Sequence, residues 1–267
     1  CAHFGKTPPC ASAAIAAGVK RVIVGIEDPF PQVAGKGLER LRAAGIEVEV
    51  GLLANEVQQL TAPFLKRVAT GRPYVHAKWA MSLDGKIAAH TGSSRWISNE
   101  SSRAIVHRLR ARMDAILVGI ETVLQDDPLL TPRDVPAINR KLTRIVLDTH
   151  GRLPLKSKLA LTALETPVLV ITGEQAPDSN VDALQKAGVD VVRIPAAEDD
   201  PNGRPDLSLV LDELGGRSIT NLLVEGGMTV SGTFFDQGLV DFVHVFIAPK
   251  LIGGASAPSA VGGIGLP

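Results

Sequence analysis

The chain has 267 residues, enough for two ordinary domains or one large one, and its 28 acidic and 28 basic residues cancel. That balance leaves no electrostatic footprint for nucleic acid or an anionic membrane, so small molecules are the expected partners. No apolar run reaches the roughly 18 to 20 residues of a membrane span, and the start lacks the layout of a signal peptide; a cytoplasmic protein is expected.

The two cysteines, Cys1 and Cys10, are too few for a disulfide scaffold. Small residues 11 to 17 suit a helix stopped by Gly18, and Val19 to Ile26 is a β-branched strand. Leu38 to Ala44 reads as a helix ended by Gly45, Ile46 to Val50 as a strand, and Asn55 to Val68 as a helix with apolar positions at Val57, Leu60, Phe64, Leu65 and Val68. Thr70, Gly71 and Pro73 break this pattern, which puts a domain boundary there, with residues 1–70 too short to complete an α/β layer of their own.

Alternation restarts with a strand from Tyr74 to about Met81 that carries Lys78 toward an Asp84-Gly85 turn. A helix from Asn99 to about Arg112 is capped by Ser98 or Asn99 and turns Ile105, Val106, Leu109 and Met113 to one side. Strands are expected at 115–118, 144–148, 168–172, 189–194, 221–224 and 242–247, with a helical turn at 121–124 and helices near 181–187, 207–214 and 229–237. Strands alternating with helices predict an α/β fold with parallel strands.

Several groupings could carry chemistry. Cys1 and Cys10, with Pro8 and Pro9 leading into a helix, could present two thiolates to a soft cation; spacing alone leaves that open against two plain small residues. In LVEGGMTVSG (223–232) a strand enters a Gly-Gly turn and then a helix, which aims unpaired N–H groups at a phosphate. Val118 to Thr122 repeats that strand-turn-helix character. Arg108 and Arg112 read as a solvated helix face, whereas Arg110 and Arg133 are the better phosphate clamps. Asp126 and Asp127 fit a turn or a ligand hydroxyl. Lys78, on a buried strand, needs a partner such as Glu225 or Asp84, or else is catalytic.

CAHFGKTPPC with AAGVKRVIVGIEDPFPQVAGKG closely resembles the second half of the zinc deaminase domain in the bifunctional deaminase/reductase family of riboflavin biosynthesis, the RibD type. AKWAMSLDGKIA, GSSRWIS, LRARMDAILVGIETVLQDDPLLTPR, LLVEGGMTVSG and APKLIGG resemble its reductase domain, a dihydrofolate-reductase-like α/β fold. The resemblance implies two parts, a partial cytidine-deaminase-like zinc domain at 1–70 and an NADPH-dependent reductase at 71–267 whose closing strands are missing. It further implies that Cys1 and Cys10 are zinc ligands whose His and Glu companions lie upstream, so the chain is expected to be cut at both ends and not to deaminate.

For the reductase, the resemblance implies reduction of 5-amino-6-(5-phosphoribosylamino)uracil at ribose C1′. Trp96, Ser98, Thr122, Asp126, Thr149 and the turn Gly227, Met228, Thr229, Val230, Ser231 and Gly232 fall on the NADPH side. Ser94, Arg110, Leu130, Arg133 and Glu225 fall on the side of the phosphorylated pyrimidine. Lys78, Asp126 and Glu225 are the expected catalytic residues, and a homo-oligomer is expected. Alternatives are a reductase acting on another pterin or pyrimidine, and a non-catalytic fragment with reduced stability.

Overall fold

The computed structural model describes every residue except 1, 3, 5, 6, 31, 32, 95, 137–141, 199, 266 and 267. Two compact units divide the chain, Cys1–Gly71 and Arg72–Pro267. The first contains α1 (Cys10–Ala16), β1 (Arg21–Val24), α2 (Lys36–Ala43), β2 (Glu47–Val50) and α3 (Ala54–Thr70). β1 and β2 pair in parallel with Arg21 opposite Glu47. Ala11, Leu41 and Ile46 form a small core against one face of this ribbon. Leu60 and Phe64 of α3, expected on an apolar face, are exposed.

The second unit is a seven-stranded parallel sheet in the order β7-β6-β5-β4-β8-β3-β9. Its elements are β3 (Tyr74–Ser82), α4 (Glu100–Arg110), β4 (Ala115–Gly119), α5 (Ile120–Asp126), β5 (Thr143–Leu147), α6 (Lys158–Leu161), β6 (Val168–Gly173), α7 (Asp178–Lys186), β7 (Asp190–Ile194), α8 (Leu207–Gly216), β8 (Asn221–Val224), α9 (Met228–Asp236) and β9 (Phe242–Ala248). The chain runs outward from β4 to β7 and then returns to insert β8 between β4 and β3. Such a reversal opens a crevice beyond the carboxyl ends of the central strands.

Period-two alternation sends Ile116 and Val118 of β4 into one helix-covered layer and Ala115 and Leu117 into the other. All five β4 residues are buried, as a strand covered on both faces requires. Each fully buried Val, Leu or Ile contributes about 1.5–3 kcal/mol. β9, at the end of the sheet order, differs: Phe242, Val243, Val245 and Ile247 are exposed.

α4 starts at Asn99, whose side chain accepts the Ser102 N–H at 2.9 Å. Its last turn carries His107, Arg108 and Arg110, where the helix dipole favours positive charge. Ile105, expected inward, is 46% exposed, and only Val106 of the helix is fully buried. The short α6 has no counterpart in the sequence reading. Ser157 caps it through the Ala160 N–H, and Asp127 accepts the Lys158 N–H at 2.8 Å.

Candidate active site

A cavity of about 1080 Å³ opens beside β3 and beyond the carboxyl ends of β4 and β8. β3 and β8 pair with Ala77 opposite Val224, so the next residue on each strand, Lys78 and Glu225, reaches the same place. The Lys78 Nζ lies 3.9 Å from a Glu225 oxygen, their side chains only 16% and 6% exposed. From the end of α4, Arg110 grips the same carboxylate with both arms of its fork, Nε to Oε1 at 2.6 Å and Nη2 to Oε2 at 2.8 Å. Its remaining Nη1 donates to the Thr131 carbonyl at 3.4 Å. Asp84, the other partner considered for Lys78, instead accepts the Ser82 hydroxyl and the Ile252 and Gly253 N–H groups.

Electrostatics separates the three charges. Burial opposes the Glu225 carboxylate, but Arg110 and then Lys78 outweigh it and hold its pKa down to about 2. Burial lowers the Lys78 pKa, Glu225 opposes that, and Arg110 adds to it. Arg110 is raised: burial works against its charge, and Glu225 more than restores it. One permanent anion thus sits between a fixed guanidinium and an ammonium that releases its proton more readily than an ordinary lysine.

The expected site residues distribute around this floor. Ser94, Trp96, Ser98, Thr122, Asp126 and Arg133 line the cavity, together with Gly227, Met228, Thr229 and Ser231. Leu130, Thr149, Val230 and Gly232 do not. Leu130 is buried in the core cluster that includes Val118 and Val123, and Val230 packs against the other cluster. Gly232 answers to packing, since a Cβ there would stand 2.4 Å from the Gly262 backbone. Cys10 is exposed at the start of α1 in the first unit, Cys1 lies outside the described residues, and no group of three or more potential metal ligands converges among the described residues.

The Gly226-Gly227 turn presents bare backbone to the cavity. Gly227 sits at φ +74°, and a Cβ on Gly226 or Gly227 would come within 3.4 Å of the Thr122 hydroxyl. α9 begins there with no side-chain cap on its first N–H groups, while Met228 and Thr229 line the cavity. These features fit the diphosphate of a dinucleotide.

Four contributors escaped the sequence reading. Arg103 stacks over Trp96 at 4.6 Å and donates to the Ser98 carbonyl at 2.9 Å. Lys250 holds the Trp96 carbonyl at 2.7 Å, and Gln125 holds that of Gly92 at 2.8 Å. His107 lines the cavity and accepts the Arg133 N–H on Nδ1 at 3.2 Å. The signal was available for two of them: Arg103, His107 and Arg110 recur at i, i+4 and i+7, a polar stripe on the cavity side of α4.

Comparison with known proteins identifies the family and the fold. The model of the RibD C-terminal domain matches residues 73–267. The riboflavin biosynthesis protein RibD of Aquifex aeolicus is 42% identical over 253 residues, covering 95% of this chain and 68% of that protein. Among solved structures, RibD of Acinetobacter baumannii superposes with a TM-score of 0.80 at 37% identity, over 98% of this chain and 69% of its own. The Thermotoga maritima diaminohydroxyphosphoribosylaminopyrimidine deaminase/5-amino-6-(5-phosphoribosylamino)uracil reductase gives 0.78 at 36% identity, over 95% and 66%. The second unit has the dihydrofolate-reductase-like α/β fold of these proteins, and the chain belongs to the RibD family.

Proposed function

We propose that the second unit reduces 5-amino-6-(5-phosphoribosylamino)uracil to its ribitylamino product with NADPH, a step of riboflavin biosynthesis. The observation that carries this reading is the buried Lys78–Glu225–Arg110 cluster at the floor of a cavity with an anion-ready glycine turn on one wall and Arg133 on another. When bound, the nicotinamide supplies the hydride that C1′ receives. Trp96, Ser98, Thr122 and the Gly227–Thr229 turn hold the dinucleotide, and Ser94 and Arg133 hold the substrate.

Ring opening must come first. The C1′–O4′ bond breaks, its electron pair stays on O4′, and O4′ takes a proton while C1′ and nitrogen form an iminium. Lys78 supplies that proton, and its lowered pKa suits it to the task. Glu225 stays ionised and orients Lys78, so it is not the acid. Hydride addition to C1′ then neutralises the iminium and leaves an open-chain amine. Asp126, on the cavity wall, orients the sugar hydroxyls. Arg110 has both main donors on Glu225 and reaches the phosphate only through Nη1, which makes Arg133 the leading grip; no carboxylate among the described residues pairs with the Arg133 guanidinium.

For the first unit, we propose part of a deaminase domain in which Cys10 is a zinc ligand with Cys1.

The test is NADPH oxidation with the phosphoribosylamino substrate across pH. The reaction needs the protonated lysine, so kcat is expected to fall on the alkaline side, with an inflection below the ordinary lysine value of 10.5. Lys78→Met is expected to lose about a thousandfold in kcat, about 4 kcal/mol, and the alkaline limb with it. Normal turnover in that variant would remove Lys78 from the mechanism.

A further inference from the structure

The phosphate end of the cavity contains one more polar group. We infer that His107 is a specificity residue that donates its Nε2–H to the substrate's phosphate beside Arg133; this rests on the reductase reading above. The hydrogen bond on its other nitrogen carries the argument. Nδ1 accepts the backbone N–H of Arg133, so the neutral ring must hold its proton on Nε2. The ring lines the cavity, and Nε2 has no hydrogen-bond partner among the described residues.

The charges facing His107 favour that form. Arg110, on the same helix, and Arg133, on the loop, disfavour a third cation, and burial does so more strongly; Glu225 and Asp134 oppose them without prevailing. A neutral N–H donor therefore lines the cavity together with Arg133, whose guanidinium has no carboxylate partner among the described residues. An oxyanion entering this corner meets a charged fork and a fixed neutral donor together, a pairing that suits phosphate oxygens. The loop itself is held in place by other residues: Arg144 donates to the Leu129 carbonyl at 3.2 Å, Arg110 to that of Thr131, and Asp127 accepts from Lys158. His107 is thus not alone in positioning Arg133.

Two variants separate donation from positioning. In His107→Asn the amide oxygen can take the place of Nδ1 and accept the Arg133 N–H, but nothing replaces Nε2–H. In His107→Gln the longer amide can donate from near the Nε2 position. The measurement is kcat/KM, with saturating NADPH, for the phosphorylated substrate and for its dephosphorylated riboside. The ratio between these substrates is expected to fall about tenfold in His107→Asn, mostly through KM, and less than about threefold in His107→Gln. An unchanged ratio in a folded His107→Asn protein overturns the inference, as does an equal loss on both substrates, which would mark His107 as only a loop support. If His107→Asn does not fold, a His107→Gln ratio reduced tenfold or more overturns it. A wild-type enzyme that does not distinguish the two substrates would refute the phosphate reading of the whole corner, a failure separable from that of His107 alone.

Discussion

Arg110 and Arg144 are both withdrawn from water, and the protein partners them in opposite ways, leaving the Arg144 Nε without a hydrogen bond among the described residues. Arg144, in β5, is completely buried, and its fork meets only neutral acceptors, the carbonyls of Leu129, Thr162 and Thr166 and the Thr162 hydroxyl. Desolvation pushes its pKa down to about 10, with only distant help from Glu165. Arg110 is somewhat more accessible but closes on a carboxylate and keeps a raised pKa. Under the proposed function, the difference separates a structural cation from a functional one. A buried guanidinium that ties loops together needs only oxygen atoms, whereas one beside a reaction centre brings an anion, and that anion lets a second cation, Lys78, be held nearby.

The strongest way to break this contrast is to remove the shared anion. Glu225→Gln keeps the shape but leaves Arg110 and Lys78 facing each other without compensation. Lys78 should lose its proton more readily still, since Glu225 no longer offsets burial and Arg110, and the Arg110 fork should loosen. The expected loss in kcat/KM is about a thousandfold, about 4 kcal/mol, read from NADPH oxidation. A variant within tenfold of wild type would mean that the cluster is structural, like the surroundings of Arg144.

The matching change at Arg144 should spare chemistry and cost stability. Arg144→Ala strands at least three carbonyls and opens a cavity, for a loss of about 3 kcal/mol. For a unit of this size that lowers the melting temperature by roughly 6–12 °C. Because Arg144 also holds the Leu129 carbonyl, a small rise in substrate KM should accompany it. A wild-type melting temperature would show that the neutral acceptors find water instead.

How much of this was legible in the sequence depends on the range of the contact. Apolar runs such as AILV at 115–118 marked strands because both faces of the sheet are covered, and the pairing of Lys78 with Glu225 was among the options because a cation on a buried strand needs a partner. α6 was not legible, since four residues show no helical period and its start is held by Asp127, 31 residues away. Asp84 looked like a partner for Lys78, yet its oxygens serve N–H groups some 168 residues later in sequence, a contact that only the fold creates. On α4 the sequence singled out Arg110, but not Arg103 and His107, which share its cavity-lining stripe. Distribution along one helix can be read locally, but which face meets a cavity is decided by the sheet beneath it.

A third set of half-buried bases sharpens the comparison at the smallest scale. On β3 and β9, the His76 Nδ1 and His244 Nε2 lie 3.2 Å apart, with the rings stacked 5.4 Å between centroids and Phe242 packed against both. One ring must donate and the other accept; a first added proton keeps an N–H···N bond, and a second would set two N–H groups face to face. Burial lowers both pKa values below the ordinary 6.5; Asn221 and Asp241 only partly offset this at His76, and His76 lowers His244 further. The sign follows: the unfolded chain takes up protons first, so the pair's stabilisation is present above about pH 6.5 and is lost as pH falls below it. Between about pH 7.5 and 5.5 the melting temperature is expected to fall by a few degrees at most, because both rings are partly solvated. In His244→Phe the remaining His76 loses its neutral partner but no longer faces a second base, so the acid slope should shrink by about half. An unchanged slope would assign the pH dependence to other groups and leave this pair as packing alone.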